Sequence, residues 1–359
     1  MELNFVQNVA ERAVAGRPPA RAELEALLSL KDREAAEPLF AGARRVREAF
    51  FGAKVFFYGF VYLSTFCRND CAFCGFRAGR AELERYRKSP EEIVEAAVDL
   101  ADSGVHLIDL TLGEDPAFHA PQGFDELCRL IGEVKAATGL PVMLSPGRLD
   151  RAQLARAKAA GASWYACYQE THNRRLFAQW RRGQDYDRRL DSKREARREG
   201  LLIEEGVLVG AGASPADLAD SVAAMAELGA QQVRAMGYVP PPGGLAPPAG
   251  LDAVFEELLT MAVLRLSRPQ ALIPASLDVE GLAGLDPRLA AGANVVTSLV
   301  PRGRGLAGVA GAELDIENGA RGAPAVTARL AAHGLAAAER EEYLACLERL
   351  SAGPATGGA

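Results

Sequence analysis

The chain has 359 residues, 49% hydrophobic and 25% charged, an ordinary globular balance at a length that suits two average domains or one large barrel. Its formal net charge of −6 argues against a broad nucleic-acid footprint. A core of this size needs no disulfide staples, so the six cysteines require another explanation.

Met1–Arg17 has no continuous apolar stretch and carries Glu2 and Glu11, unlike a signal peptide. Val55–Leu63, the longest apolar run, is far too short to cross a membrane. The expectation is a soluble, cytoplasmic protein with neither a membrane nor a nucleic acid as partner. Ala22–Leu30 and Pro38–Phe51 then read as amphipathic helices, and residues 1–52 as an N-terminal helical cap. From residue 53 onward the chain alternates. Short apolar runs predict buried strands at Val55–Leu63, Leu107–Leu112, Val142–Ser145, Trp164–Tyr168, Val207–Val209, Val233–Tyr238, Ala271–Ala275 and Val295–Leu299. Between them, Pro90–Asp102, Phe124–Ala136, Arg151–Ala160 and Pro215–Leu228 carry apolar residues three and four apart, the spacing of a helix face.

Strands alternating with helices imply parallel βαβ units. In "ADSGVHL", "AKAAGASW", "AELGAQQV" and "LAAGANVV" a glycine (Gly104, Gly161, Gly229, Gly292) precedes each strand, as a left-handed helix cap would. Eight such strands predict a (β/α)8 TIM-type barrel over residues 53–359, with a doubly wound open sheet as the competing arrangement. Val239–Gly250 reads as a loop within that rhythm, Ala325–Leu350 as C-terminal helices, and Ser351–Ala359 as a frayed end.

The first strand runs directly into "Cys67-Arg-Asn-Asp-Cys71-Ala-Phe-Cys74". Three thiolates at this spacing can converge on one cuboidal iron–sulfur cluster, leaving one iron open to an exchangeable chelator. Structural zinc would want a fourth ligand, and no Cys or His follows within the next thirty residues. Cys128, Cys167 and Cys346 are scattered and read as core residues. The histidines His106, His119, His172 and His333 carry no motif.

This C-x3-C-x2-C pattern, with Phe73 before its last cysteine, resembles the radical S-adenosylmethionine superfamily. There the methionine moiety chelates the open iron, and an electron passed into the sulfonium releases a 5′-deoxyadenosyl radical. "FYGFVYLSTFCRNDCAFC", "DLTLGEDP", "LPVMLSPG", "YQETHNRRLF", "RRGQDYDRR" and "IPASLDVEGLAGLDPRLAAGANVVTS" are similar, over nearly the whole chain, to the methylornithine synthase family of pyrrolysine biosynthesis. The resemblance implies a 4Fe–4S cluster on Cys67, Cys71 and Cys74 and S-adenosyl-L-methionine as cofactors. It further implies L-lysine as substrate, rearranged to (3R)-3-methyl-D-ornithine, and an external electron donor such as flavodoxin or ferredoxin. "CGFR" at Cys74–Arg77 is closer to a hydrogenase maturase pattern, so a maturase-like or biotin-synthase-like enzyme on another small molecule is the alternative. A non-catalytic iron–sulfur protein is the alternative from a different class.

"LGED" ends the second strand, where its glycine permits close backbone approach and Glu114 could accept from an ammonium. Ser145 and Glu170 end the third and fourth strands and suit ribose hydroxyls or the ammonium. The resemblance places Ser145 and Glu170, with Arg181 and Arg189, against the cosubstrate, where Glu114 and Phe73 are also expected; a guanidinium there would grip a carboxylate in a bidentate fork. Most other arginines of Arg174–Arg198 read as a solvated helix face. Lysine brings two ammoniums and one carboxylate, so its site should hold two acids and an arginine. Asp109, Arg234, Ser276 and Asp278 fit that inventory at strand ends. Asp109, in the apolar "LIDLTL", would be an uncompensated buried charge facing outward, whereas in the lumen it can pair with an ammonium. Arg234 is the expected carboxylate partner, and Asp109 and Asp278 the ammonium partners.

Overall fold

A computed structural model describes residues 3–301 and 321–352. Its central element is a ring of eight strands: β1 (Lys54–Ser64), β2 (Leu107–Leu112), β3 (Val142–Ser145), β4 (Ala162–Ala166), β5 (Leu202–Val209), β6 (Gln232–Gly237), β7 (Pro274–Ser276) and β8 (Val295–Leu299). Consecutive strands pair in parallel from β1 to β6, and β1 continues through β8 to β7. The ring closes where Gln232 bridges Leu272 and the Val233 N–H donates to the Leu272 carbonyl at 3.0 Å. That closure decides for the barrel over the open sheet. Gly104, Gly161, Gly229 and Gly292 all take positive φ, ending helices as their place before strands predicts.

β1 shows how sequence builds the two layers. Phe56, Tyr58, Phe60 and Tyr62 point into the lumen cluster, while Val55, Phe57, Val61 and Leu63 join the outer core under the helices. This is the period of two expected of a strand. The lumen is therefore packed with large side chains at one end. There Ala336–Ala337 pairs with the start of β1, and Tyr343 of the last helix, Arg340–Ser351, donates from its hydroxyl to Tyr58 at 2.8 Å. With that end plugged, functional groups can converge only at the other, carboxyl end of the strands, the usual place in this fold.

Outside the barrel, helices Leu3–Val14, Arg21–Leu28 and Arg33–Phe51 pack on helix Ala253–Ser267. That helix is buried at nearly every position from Phe255 onward, because it lies between β6 and the N-terminal helices; a helix apolar all round is a buried one. Helix Arg33–Phe51 begins five residues before the expected Pro38, since the Asp32 side chain caps it by accepting from the Ala35 N–H. Helix Leu3–Val14 was not expected, and β5 begins at Leu202 rather than Val207. The C-terminal helices are Ala323–Ala331 and Arg340–Ser351; of the expected frayed end, residues 353–359 lie outside the described ones. Among the described residues no helix is long and apolar enough to cross a membrane.

Candidate active site

The cysteine loop leaves β1 and is fastened at several points. Asp70–Cys71 pairs antiparallel with Arg181–Arg182, and the Ala72 N–H donates to the Trp180 carbonyl at 2.7 Å. The Arg85 guanidinium gathers the backbone carbonyls of Thr65, Phe76 and Arg77. A Cβ on Gly113 would stand 2.8 Å from the Cys67 Cβ, so β2 ends tightly against the loop and only glycine fits there.

Each sulfur has a donor aimed at it. The Asn69 N–H reaches Cys67 Sγ at 3.5 Å and the Phe76 N–H reaches Cys74 Sγ at 3.4 Å. Cys71 Sγ accepts from Gln184 Nε2 at 3.0 Å and from Arg181 at 3.6 Å. Burial pushes the Cys67 thiol up, and burial with the neighbouring Cys71 pushes Cys74 up to about 12. Such thiols release their protons when a metal takes them. Among the described residues no three His, Cys, Asp or Glu side chains gather around a single-ion position, whereas a cuboidal cluster asks each thiolate for a separate iron. Three mutually interacting thiols, donors on every sulfur and a glycine pressed against the loop fit the cluster.

Beside this loop the barrel mouth holds a cavity of about 200 Å³. Phe73 and Cys74 form part of its wall, with Asp109, Ser145, Glu170, Arg234, Ser276 and Asp278. The structure thus gathers onto one surface residues from six stretches of sequence. Glu114, Arg181 and Arg189 stand behind that wall. Glu114 accepts from Arg68 at 2.9 and 3.1 Å, from the Arg148 N–H at 3.0 Å and from Arg189 at 3.4 Å. Burial works to raise its carboxyl, but those donors outweigh burial and hold it low. Arg181 and Arg189 both donate to the Tyr168 carbonyl, at 2.9 and 2.7 Å, which fixes the loop after β4.

That loop carries Glu170 in a left-handed conformation, φ 68°, costly for a residue with a side chain. Backbone bonds to β5 hold it there, Glu170 N–H to Gly206 and Leu208 N–H to Glu170. One carboxylate oxygen of Glu170 accepts from Arg181 at 2.8 Å and the other is buried without a partner. Burial raises this carboxyl. Asp278 already accepts from Tyr62 at 2.9 Å and from Arg321 at 2.7 Å. Ser276 exchanges a hydrogen bond with Ser298 at 3.1 Å.

Asp109 faces the lumen, fully buried, with Ser145 donating to it at 2.8 Å. Burial, aided by the charge of Glu204, pushes it up to about 8. In the unfolded chain it ionises near 3.9. The folded form therefore holds a proton the unfolded form has lost, and stability from this group fades as pH rises from about 4 to about 8. Asp109→Asn removes the penalty. Its gain in thermal midpoint over the parent should widen from pH 5 to pH 8 and then level off; an equal gain at every pH would contradict a protonated Asp109.

Several site residues were missed by sequence reasoning. Glu204 is fully buried, accepting from Arg234 Nε at 2.8 Å and from the Tyr168 hydroxyl at 2.9 Å. Glu257 and Arg288, also on the cavity wall, form a two-point pair at 2.7 and 2.8 Å. Gln184 and Arg321 were likewise missed. A charged residue inside an apolar strand was the available signal, applied to Asp109 and not to Glu204. His106 is a brace, with Nδ1 accepting from the Phe57 N–H and Nε2 bonded to the Ala338 carbonyl, both at 2.8 Å.

Residues 61–225 match the Radical SAM superfamily. The chain is 39% identical over 350 residues to the 3-methylornithine synthase of Methanosarcina barkeri, covering 97% of this chain and 98% of that protein. It is 31% identical to the FeFe hydrogenase maturase subunit HydE of Thermotoga maritima, covering 77% and 79%. Its fold superposes on the crystal structure of methylornithine synthase (PylB) with a TM-score of 0.88 at 38% identity, covering 94% of this chain and 99% of that one.

Proposed function

Because this chain belongs to the 3-methylornithine synthase family of the Radical SAM superfamily, we propose that it rearranges the carbon skeleton of L-lysine to 3-methylornithine at the barrel mouth. The observation that carries the reading is the cavity wall, where Arg234, Asp109 and Asp278 share one surface with Phe73 and Cys74 while Arg288 and Glu257 neutralise each other. That is the inventory of charges a diamino acid needs, set beside the cysteine loop. The longer and closer match to the synthases than to the maturase favours the same substrate.

A 4Fe–4S cluster with S-adenosylmethionine, when bound, supplies the one-electron chemistry that the side chains themselves lack. Cys67, Cys71 and Cys74 would hold the cluster. Phe73, Ser145 and Glu170, all on the cavity wall, face the cosubstrate, the unpartnered Glu170 oxygen being suited to an ammonium or a hydroxyl. Glu114, Arg181 and Arg189 act on it through the loops they fasten. Arg234 receives the substrate carboxylate and Asp109 the adjacent ammonium, since these two interact electrostatically. Asp278 and Ser276 receive the far ammonium. Aromatic walls, Phe60, Phe73 and Tyr168, exclude water from reactive species. An external reductant, flavodoxin or ferredoxin, supplies electrons, and exposed-metal chemistry of this kind suits the reducing cytoplasm.

Lysine analogues test the reading. Cadaverine lacks the carboxylate, 6-aminohexanoate the α-ammonium and norleucine the ε-ammonium. Cadaverine and 6-aminohexanoate each take away the ligand group that answers Arg234 or Asp109, a cost of about 2–5 kcal/mol, so each should bind the reconstituted protein tens to thousands of times more weakly than L-lysine. Norleucine should lose less, because Tyr62 and Arg321 already occupy Asp278. Equal binding of all four by equilibrium dialysis would refute a lysine site here.

A further inference from the structure

Resting on the lysine reading above, we propose that Glu204, which lies outside the cavity lining, is the positioning residue that turns Arg234 to receive the substrate carboxylate. Every residue of β5 is buried, so neither Glu204 nor its neighbour Glu205 is a solvated charge. The strand sends them opposite ways. Glu205 goes outward to Lys193 and the Gln169 N–H. Glu204 goes inward, and each of its oxygens has one partner: Oε1 takes Arg234 Nε at 2.8 Å and Oε2 takes the Tyr168 hydroxyl at 2.9 Å.

Arg234 stands on the adjacent strand, where Glu204 is in register with Gln232 and Gly206 with Arg234. Its guanidinium also lies over the Tyr168 ring, 5.7 Å from the centroid. A planar guanidinium gripped at Nε and backed by a ring cannot swing, and the edge left over is the one between its two terminal nitrogens. Nη2 has no partner within the protein. That edge matches a carboxylate in two-point geometry. Were Glu204 only neutralising a core arginine, its grip on Nε rather than on the terminal nitrogens would be of no consequence to a ligand.

The same carboxylate reaches a second residue. The charged and titratable groups facing Asp109 are Glu204 from β5, Arg234 from β6 and Tyr168 from the loop after β4. β3 contributes Ser145, and β1 sets Phe60 beside Asp109 in register. Glu204 raises the Asp109 carboxyl and Arg234 lowers it. An ammonium prefers Asp109 charged, so wild-type affinity for lysine should climb as pH approaches about 8. Removing the Glu204 charge moves that climb to lower pH.

The test measures L-lysine binding to the oxidised, reconstituted enzyme with S-adenosylmethionine present, between pH 6 and 9, for wild type, Glu204→Gln and Glu204→Asp. Glu204→Gln should bind at least about tenfold more weakly at the top of the range, with its midpoint displaced to lower pH. Glu204→Asp keeps the charge but is too short to reach both partners, so its midpoint should stay near wild type while its affinity remains reduced. Wild-type affinity and midpoint in Glu204→Gln would overturn the proposal. If Glu204→Gln loses its cluster and fold, Glu204→Asp decides, and wild-type affinity there overturns it. A wild-type enzyme that binds no lysine would instead sink the functional reading, and the proposal with it.

Discussion

Alanine at Cys67, Cys71 or Cys74 is expected to abolish the brown iron–sulfur absorbance of the reconstituted protein, and with it all cleavage of S-adenosylmethionine. The loss should be complete rather than graded. Among the described residues no other group of three Cys, His, Asp or Glu could hold a metal ion, and Cys128 and Cys346 sit on helices Pro121–Thr138 and Arg340–Ser351. The strapping of the loop by Arg85, Trp180 and Arg181 does not depend on the sulfurs, so these variants should remain folded. Cys128→Ala and Cys346→Ala, as controls, should keep the cluster. A reducible cluster signal persisting in the triple variant would show that the iron is held by other groups.

Arg234→Ala should leave the cluster and cosubstrate binding intact yet remove lysine-dependent turnover. Arg234 touches neither the cysteine loop nor Glu170; its bond is to Glu204. The change strips the substrate carboxylate of its partner and also leaves Glu204 buried with an unmatched charge. Removing one member of such a pair costs about 2–5 kcal/mol, tens to thousands of times in affinity. Arg234→Lys keeps the charge but cannot offer a planar edge, so it should recover stability more than turnover. Asp278→Asn should act in the same direction and less steeply, because Arg321 and Tyr62 already occupy that carboxylate. Product formation and cosubstrate cleavage, measured side by side, separate these outcomes. Turnover at the parental rate in Arg234→Ala would make the residue barrel packing.

The barrel was legible because its signals are local. Alternation along β1 and a glycine before each strand can be read from a few consecutive residues. The start of β5 was not, because two consecutive carboxylates, Glu204 and Glu205, interrupt the apolar run before Val207. Their partners, Arg234 and Lys193, stand 30 and 12 residues away in sequence. Helix Ala253–Ser267 was passed over for a related reason: buried on all sides, it has no polar face to mark its period. In the site, residue types at strand ends identified the cavity wall of Asp109, Ser145, Glu170, Arg234, Ser276 and Asp278. What sequence did not reveal was which of these charges already have protein partners. Glu114 is saturated by Arg68, Arg148 and Arg189, and Asp278 is shared with Arg321. Occupancy of this kind depends on side chains converging from distant strands, which no local pattern records.

The central claim, that the charges at the barrel mouth hold lysine while its skeleton is rearranged, is tested most directly by following uniformly 13C-labelled L-lysine. The label would be incubated anaerobically with the reconstituted enzyme, reductant and S-adenosylmethionine, and the two amino acids, isomers of one mass, separated by chromatography before mass spectrometry. The account predicts 3-methylornithine carrying every lysine carbon, formed in wild type and absent in Arg234→Ala despite an intact cluster. Cosubstrate cleavage that neither depends on lysine nor converts it, in an enzyme with a full cluster, would contradict it.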